Sequence, residues 1–279
     1  MKNIAAIVFF MFLLIVGFVS CSKKKEMSFR TITFSDRFYL SPDTNIGSLS
    51  VEINVEIPEN YYNKEVLDNL RRQIVAKVFS ESYTNLPIDS VVPRYVQTKR
   101  EGYKEDFSPD FQELIKKTGV PRMDNEINIE GVTMFLDDKI LSYSHERYAF
   151  MGGNNGKSSR YLYNFELINA HAFKEADIFI PNYQELLSLL IKEEFIRQSA
   201  EIESTADLND FDFWSDRLRP NDNFYVSESG LVYVFNPYEI SPYGISQTEV
   251  EVPFAKLKPI LQQGNIIEYL YEHSTNNGR

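Results

Sequence analysis

The chain has 279 residues, of which 43% are hydrophobic and 25% charged, with a net charge of −11 and one cysteine. That balance excludes intrinsic disorder and a disulfide-stapled framework. An acidic surface also repels nucleic acid and favours basic proteins as partners. Aromatic residues are abundant, with 17 Tyr and 21 Phe against 1 Trp, a composition that favours packed sheet faces.

Lys2 is the sole charge before Lys23, and residues 4–19 between them are uninterruptedly apolar. The run is short of the ~20 residues that cross a bilayer comfortably, and it has the form of an export leader. Ser20-Cys21 at its end suits lipoprotein processing, although Phe18 stands where Leu is commoner. The expectation is a signal peptide over residues 1–20, acylation (palmitate) at Cys21, and a polar tether over 21–27 whose lysines meet anionic headgroups. The alternative is an uncleaved anchor with an incidental cysteine. Either way the body is tethered to a membrane of the bacterial cell envelope, periplasmic or surface-exposed. Loss of Lys2 takes the net charge from −11 to −12.

No internal repeat is evident. Residues 28–40 and 48–57 alternate apolar and polar side chains, the period of half-buried strands. In the second, Leu49, Val51, Ile53, Val55 and Ile57 share one face, Glu52, Asn54 and Glu56 the other, and Pro58 should end it. Val66, Leu67, Leu70, Ile74, Val78 and Phe79 predict an amphipathic helix over 64–82. A second helix is expected between the cap Ser108 with Pro109 and the stop Gly119 with Pro121. Strands follow at 127–136 and 139–150 around Asp137-Asp138, then at 160–168. Asn182 with Glu185 reads as a capping box, opening a helix whose Leu186, Leu187, Leu189, Leu190, Ile191, Phe195 and Ile196 should be well buried. Residues 204–222 are acidic and irregular. Strands return at 224–227, 230–236 and 246–252, before a short helix near 254–263 that ends at Gly264. The order predicts an α+β fold of mainly antiparallel sheets packed with a few amphipathic helices, in two subdomains. These are an N-terminal unit over 28–125 and a C-terminal unit over 126–265, with a tail at 266–279.

Three places carry candidate chemistry. Asp207, Asp210, Asp212 and Asp216 surround Trp214, an arrangement open to reading as a sugar platform with carboxylates, a calcium loop or a cationic-partner site. A solvated acidic loop is the commoner use of such a run. Tyr238, Glu239 and Tyr243 sit on a loop stiffened by Asn236-Pro237 and Pro242-Tyr243-Gly244; tyrosine offers large contact area at low entropic cost, and packing at a sheet end is the alternative. Gly152-Gly153-Asn154-Asn155-Gly156 is a glycine-rich turn with no Lys-Ser/Thr helix start to make it a phosphate loop. His145, His171 and His273 show no metal-ligand spacing, and His145-Glu146 on a strand would point to opposite faces. No metal, cofactor or nucleophile motif is found, so the chain reads as non-catalytic, with a glycoside hydrolase using Asp210, Asp212 or Glu239 as the weakest alternative.

Residues 148–167 (YAFMGGNNGKSSRYLYNFEL), 223–244 (NFYVSESGLVYVFNPYEISPYG) and 249–261 together resemble the RsiV-like domain of unknown function. That domain ends the anti-sigma factor RsiV and precedes the catalytic domain of the polysaccharide deacetylase PdaC. The resemblance covers about residues 140–265, and the preceding region is similar to the companion domain that usually accompanies it. Asn155 stands where family members often carry His, which removes any general-base or metal role there. The resemblance implies protein recognition, with lysozyme or another cell-wall hydrolase as the basic partner. It also implies an alternative, direct binding of peptidoglycan glycan, with Trp214, Tyr238 and Tyr243 as stacking candidates.

Overall fold

The computed structural model describes residues 26–107, 123–244 and 246–276, together with Glu113, Lys117 and Thr118. The leader, Cys21 and the lysine tether lie outside the described residues, as does most of the helix expected between Ser108 and Gly119.

The fold is α+β, built on two open sheets. The larger has the order β1 (Ser28–Tyr39), β2 (Ser48–Asn60), β3 (Asn125–Leu136), β4 (Ile140–Phe150), β5 (Lys157–Glu166), β6 (Ala172–Phe173). Its pairings are antiparallel except β2 with β3, which run parallel from Leu49↔Asn125 to Val55↔Gly131. This sheet therefore crosses position 125/126, where two units were expected to meet. The smaller sheet is an antiparallel meander of β7 (Phe224–Val226), β8 (Gly230–Phe235) and β9 (Thr248–Pro253). Pro58 does not end β2: the strand runs on to Asn60, with a register shift opposite at Ser28/Phe29. The pairing of β2 with β3 stops at Val55, so the missing N–H of Pro58 faces no ladder partner.

Alternation puts Leu49, Val51, Ile53 and Val55 of β2 and Ile127 and Ile129 of β3 on one face of the large sheet, where they form a core with two helices. The first, α1 (Lys64–Val78), is capped by Asn63, whose side chain accepts the N–H groups of Glu65 and Val66, and it buries Val66, Leu67, Leu70 and Ile74. The second, α2 (Ile88–Asp106), was not anticipated. Pro93 lies inside it, and Val91 and Val92 weaken its helical signal. Burial of Val91, Val92, Tyr95, Val96 and Tyr103 against the sheet outweighs that local preference.

A second core joins the small sheet to α4 (Gln184–Gln198), α5 (Phe254–Leu257) and α6 (Glu268–Asn276); a short α3 (Glu175–Ile178) precedes α4. Asn182 is not the cap of α4. It is left-handed (φ 67°) and the helix starts one residue later, after Tyr183, with no side-chain cap bond. The Tyr183 hydroxyl donates to Glu175 at 3.0 Å and its ring packs on Phe179, which sets the start. The apolar surface of α4 is also narrower than expected. Leu187, Leu190, Ile191 and Phe195 are buried, but Leu186 and Leu189 remain 38% and 49% exposed. At 100° per residue they fall outside the buried stripe, which instead takes in Glu194, held between Arg197 and Lys256. Residues 266–276, expected as a tail, pack Ile267 and Leu270 into this core.

The sheets meet through a seam of polar side chains. Ser142 of β4 donates its hydroxyl to Asn164 of β5 at 2.6 Å and accepts the N–H of Val226 at 3.1 Å. Asn164 donates to the carbonyl of Phe224 at 2.8 Å. Asn223 accepts from Leu162 N–H and donates to the carbonyls of Arg160 and Val234. Asn236 accepts from Arg160 N–H at 2.6 Å and donates back to the Arg160 carbonyl. With Ser142 fully buried and Asn164 3% exposed, Asn164→Ala would strand a buried donor and a buried carbonyl. The expected loss is roughly 2–3 kcal/mol, read as a lower urea midpoint with unchanged slope.

Candidate functional site

The other face of the large sheet is covered by the small sheet over β5, part of β4 and the end of β3 near Phe135. Across β1, β2 and the adjoining parts of β3 and β4 it stays open, and the registers set its side chains in rows. One row runs Thr33, Asn54, Glu130, Glu146 and the next Ser35, Glu52, Asn128, Tyr148. These residues line a trough of about 670 Å³, and none of the lining side chains is cationic. Glu146 accepts from Ser158 at 2.9 Å and from Gln247 at 2.8 Å, so its carboxylate is oriented by the neighbouring strand and by the segment leading into β9. Glu130 stands directly opposite it across the β3–β4 pair.

Tyr148 is shared with an adjoining hollow of about 900 Å³, lined also by Asn155, Gly156, Lys157, Ser158, Pro237, Tyr238, Glu239 and Gly244. Two glycines make room for its rings. A Cβ on Gly156 would sit 2.3 Å from the Tyr148 ring, and one on Gly244 would sit 2.6 Å from the Tyr238 hydroxyl. The trough floor is therefore acidic and amide-lined, while its far end is framed by tyrosines.

The fold brings two of the three sequence candidates together here. The turn after β4 and the loop after β8, some 80 residues apart, form facing walls of the second hollow through Asn155, Gly156, Tyr238 and Glu239. Glu239 is a brace: it accepts from Asn221 at 3.1 Å and from the N–H of Asn236 at 2.7 Å. Tyr238 and Tyr243 are 58% and 59% exposed. Gly152 and Gly153 take positive φ (86° and 95°) at the open tip of the turn. The aspartate cluster lies elsewhere. Asp210, Asp212 and Asp216 are exposed, and Asp207 caps the N–H groups of Glu203 and Ser204. Trp214 is tied to Ile240 through its backbone and carries the Arg217 guanidinium 4.7 Å from its ring centre. None of these five lines the trough or the adjoining hollow, and Glu239 is held by Asn221 and Asn236. No three described His, Cys, Asp or Glu side chains converge to hold a metal ion. A third hollow of about 430 Å³ is lined by Asn221, Asn223, Asn236 and Glu239, whose polar groups are occupied in the seam.

Glu52, Asn54, Asn128, Glu130 and Tyr148 are residues that sequence reasoning did not single out as a site, and Glu146 was considered only with His145, from which it points away. For Glu52 and Asn54 the signal was the polar half of the alternation in 48–57, and for Asn128 and Glu130 that of β3, each an ordinary solvent face when one strand is taken alone. Only the register across four strands gathers it into a trough.

Residues 176–255 match the DUF3298 family model, described as a protein of unknown function. No curated protein matches the chain. A DUF3298 family member from Bacteroides fragilis is 23% identical, superposes with a TM-score of 0.82, and covers 89% of this chain and 99% of its own. A DUF3298 family protein from Pseudomonas aeruginosa is 12% identical with a TM-score of 0.54, over 86% and 96% of the two chains. These likenesses establish a shared fold. The DUF3298 segment spans α4, the aspartate loop and β7–β9, and includes the Tyr238 wall; the trough carboxylates all precede it.

His145 lies beneath the trough, on the opposite face of β4 from Glu146. It is 5% exposed, and neither ring nitrogen has a hydrogen-bond partner among the described residues. Burial, reinforced by the Arg147 charge, lowers its pKa from 6.5 to about 4. A base whose folded pKa is depressed stabilises the fold fully above its unfolded pKa and loses that contribution as pH falls through 6.5 toward 4. Stability should drop by roughly 2 kcal/mol between pH 7.5 and pH 5. Urea titrations at the two pH values check this, with His145→Leu expected to shrink the difference.

Proposed function

We propose that this chain is a lipid-anchored extracytoplasmic binding module, non-catalytic, that holds a basic partner protein in the trough on the open face of its large sheet. The observation that carries the reading is the row of carboxylates at Glu52, Glu130 and Glu146, set on one rigid face with no cation among the residues that line it. Like charges directly opposite across a strand pair destabilise a sheet, and a cationic loop laid over Glu130 and Glu146 relieves that repulsion. The leader ending at Cys21 supplies the membrane attachment and the envelope setting. The resemblance to the RsiV-like domain supplies the partner class: lysozyme or a similar cell-wall hydrolase, typically basic, against a chain of net charge −11.

The test is binding of a lysozyme to the full-length chain in detergent at low and high salt. Binding should weaken steeply as salt rises, and Glu52→Gln with Glu130→Gln should weaken it about tenfold at low salt, the size expected for two partly desolvated charge contacts. Undiminished binding in that double variant would remove the trough from the reading.

Direct glycan binding is the second reading, favoured by Tyr148 and Tyr238 flanking the second hollow. It predicts retention on peptidoglycan that is insensitive to salt and lost in Tyr238→Ala; retention unchanged by that substitution would discard it.

A further inference from the structure

β1 is 12 residues long, is the terminal strand of its sheet, and pairs only with β2 among the described residues. Native sheets guard such edges with proline, bulges, short strands, charged side chains or a covering element, and a typical strand is only five or six residues long; the inward charges of β1, Arg30 and Asp36, are of opposite sign, so they guard against foreign strands but not against a second copy. β1 contains no proline, and its one irregularity is at the extreme end, between Ser28 and Phe29. Its open-face residues Thr31, Thr33, Ser35 and Arg37 are exposed, and its helix-side Ile32, Phe34 and Phe38 are only partly covered by the first core.

We propose that the free edge of β1 pairs antiparallel with β1 of a second copy, about a two-fold axis at Thr33, so that one continuous sheet runs through both copies. The register follows from the sequence. Directly opposed residues in an antiparallel pair point to the same face. Only registers in which the two residue numbers sum to an even value therefore keep both helical layers on one side and both troughs on the other. Among these, the register that sets Thr33 opposite Thr33 also sets Arg30 opposite Asp36, twice by symmetry, and Ile32 opposite Phe34, all on the helix side. Sliding by one pair either way sets Asp36 against Ile32 or Arg30 against Phe34. The odd register next to it sets Arg30 against Arg37. Arg30 and Asp36 already point to the helix layer, where they meet Asp89 and Arg100 of α2, so a partner's charges would join an existing network. The trough reaches this edge through Thr33 and Ser35. The second copy's Thr31, Thr33 and Ser35 would extend its floor, merging two troughs into one surface. Nothing here depends on which ligand the trough holds.

The experiment measures mass and register on the full-length chain in detergent. Sedimentation should give a dimer of the chain. Thr33→Cys should form a covalent dimer on mild oxidation, because the opposed Cβ atoms lie within about 5.5 Å. Thr31→Cys should not, because its own symmetry mate is four residues, about 13 Å, away. The unsubstituted chain sets the background from Cys21. Asp36→Arg should weaken association about tenfold by placing two arginines opposite each other twice, and Arg30→Asp with Asp36→Arg should restore it. A monomer at the highest soluble concentration, equal crosslinking at 31 and 33, or unchanged association in Asp36→Arg would each overturn the proposal.

Discussion

The two sheets are held together by side-chain amides and hydroxyls that stand in for backbone. β5 pairs with β6 only at Asn164 and Phe165, so the N–H and C=O groups of Arg160 and the N–H of Leu162 on its outer edge would otherwise be left without a ladder. Asn236 and Asn223 present a carbonyl and an amide to those groups much as a neighbouring strand would. Such a seam fixes one register and one angle, because every buried polar group in it must be matched. Shifting the small sheet by one residue would break several matched bonds at once. The walls of the trough inherit that definition. Asn236 opens the loop that carries Tyr238, and Gln247, just before β9, reaches Glu146.

Above this joint the large sheet faces two environments. Its helix side is filled by aliphatic and aromatic groups, with Tyr143 reaching the carbonyl of Glu56 at 2.9 Å. Its open side carries Arg37 at one margin and Arg160 opposite Glu146 at the other, with no cation along the trough between them. Glu146 is thus flanked by a like charge, Glu130, on one side and by Arg160 on the other.

Most of the framework was legible from sequence because alternation with a period of two needs no partner to be seen. β1, β2, the first half of β3, and β9 follow it, while β8 was legible as a short, wholly apolar run between turn residues. What escaped has physical causes. Pro93 and a β-branched pair hid α2, whose burial overrides weak propensity. Asn182 has the residue type of a cap, but a tyrosine anchored on Glu175 moved the helix start. The trough residues are spread over more than 100 positions and four strands, and the parallel β2–β3 pairing that collects them cannot be read from either strand. The glycine-rich turn and the tyrosine loop were visible as motifs, yet their meeting was not, since it depends on the seam.

The glycine-rich turn illustrates how the same residues change meaning in context. Three glycines near a strand end suggest close approach to something, and a ligand backbone is one candidate. At Gly156 the approaching group is the chain's own Tyr148 ring, and at Gly244 it is Tyr238. The glycines thus act one step away from any ligand, by letting two rings stand where they frame the hollow. This gives the surface a polarity along its length. The stretch over Glu52, Glu130 and Glu146 carries carboxylates and amides with no cation, and the stretch between Tyr148 and Tyr238 carries Lys157, Glu239 and aromatic area. A ligand charged along its whole length would meet Lys157 unfavourably, whereas one with a cationic end and a less charged remainder matches both stretches. On the proposed reading, the partner therefore engages by a protruding basic loop rather than by a broad basic face.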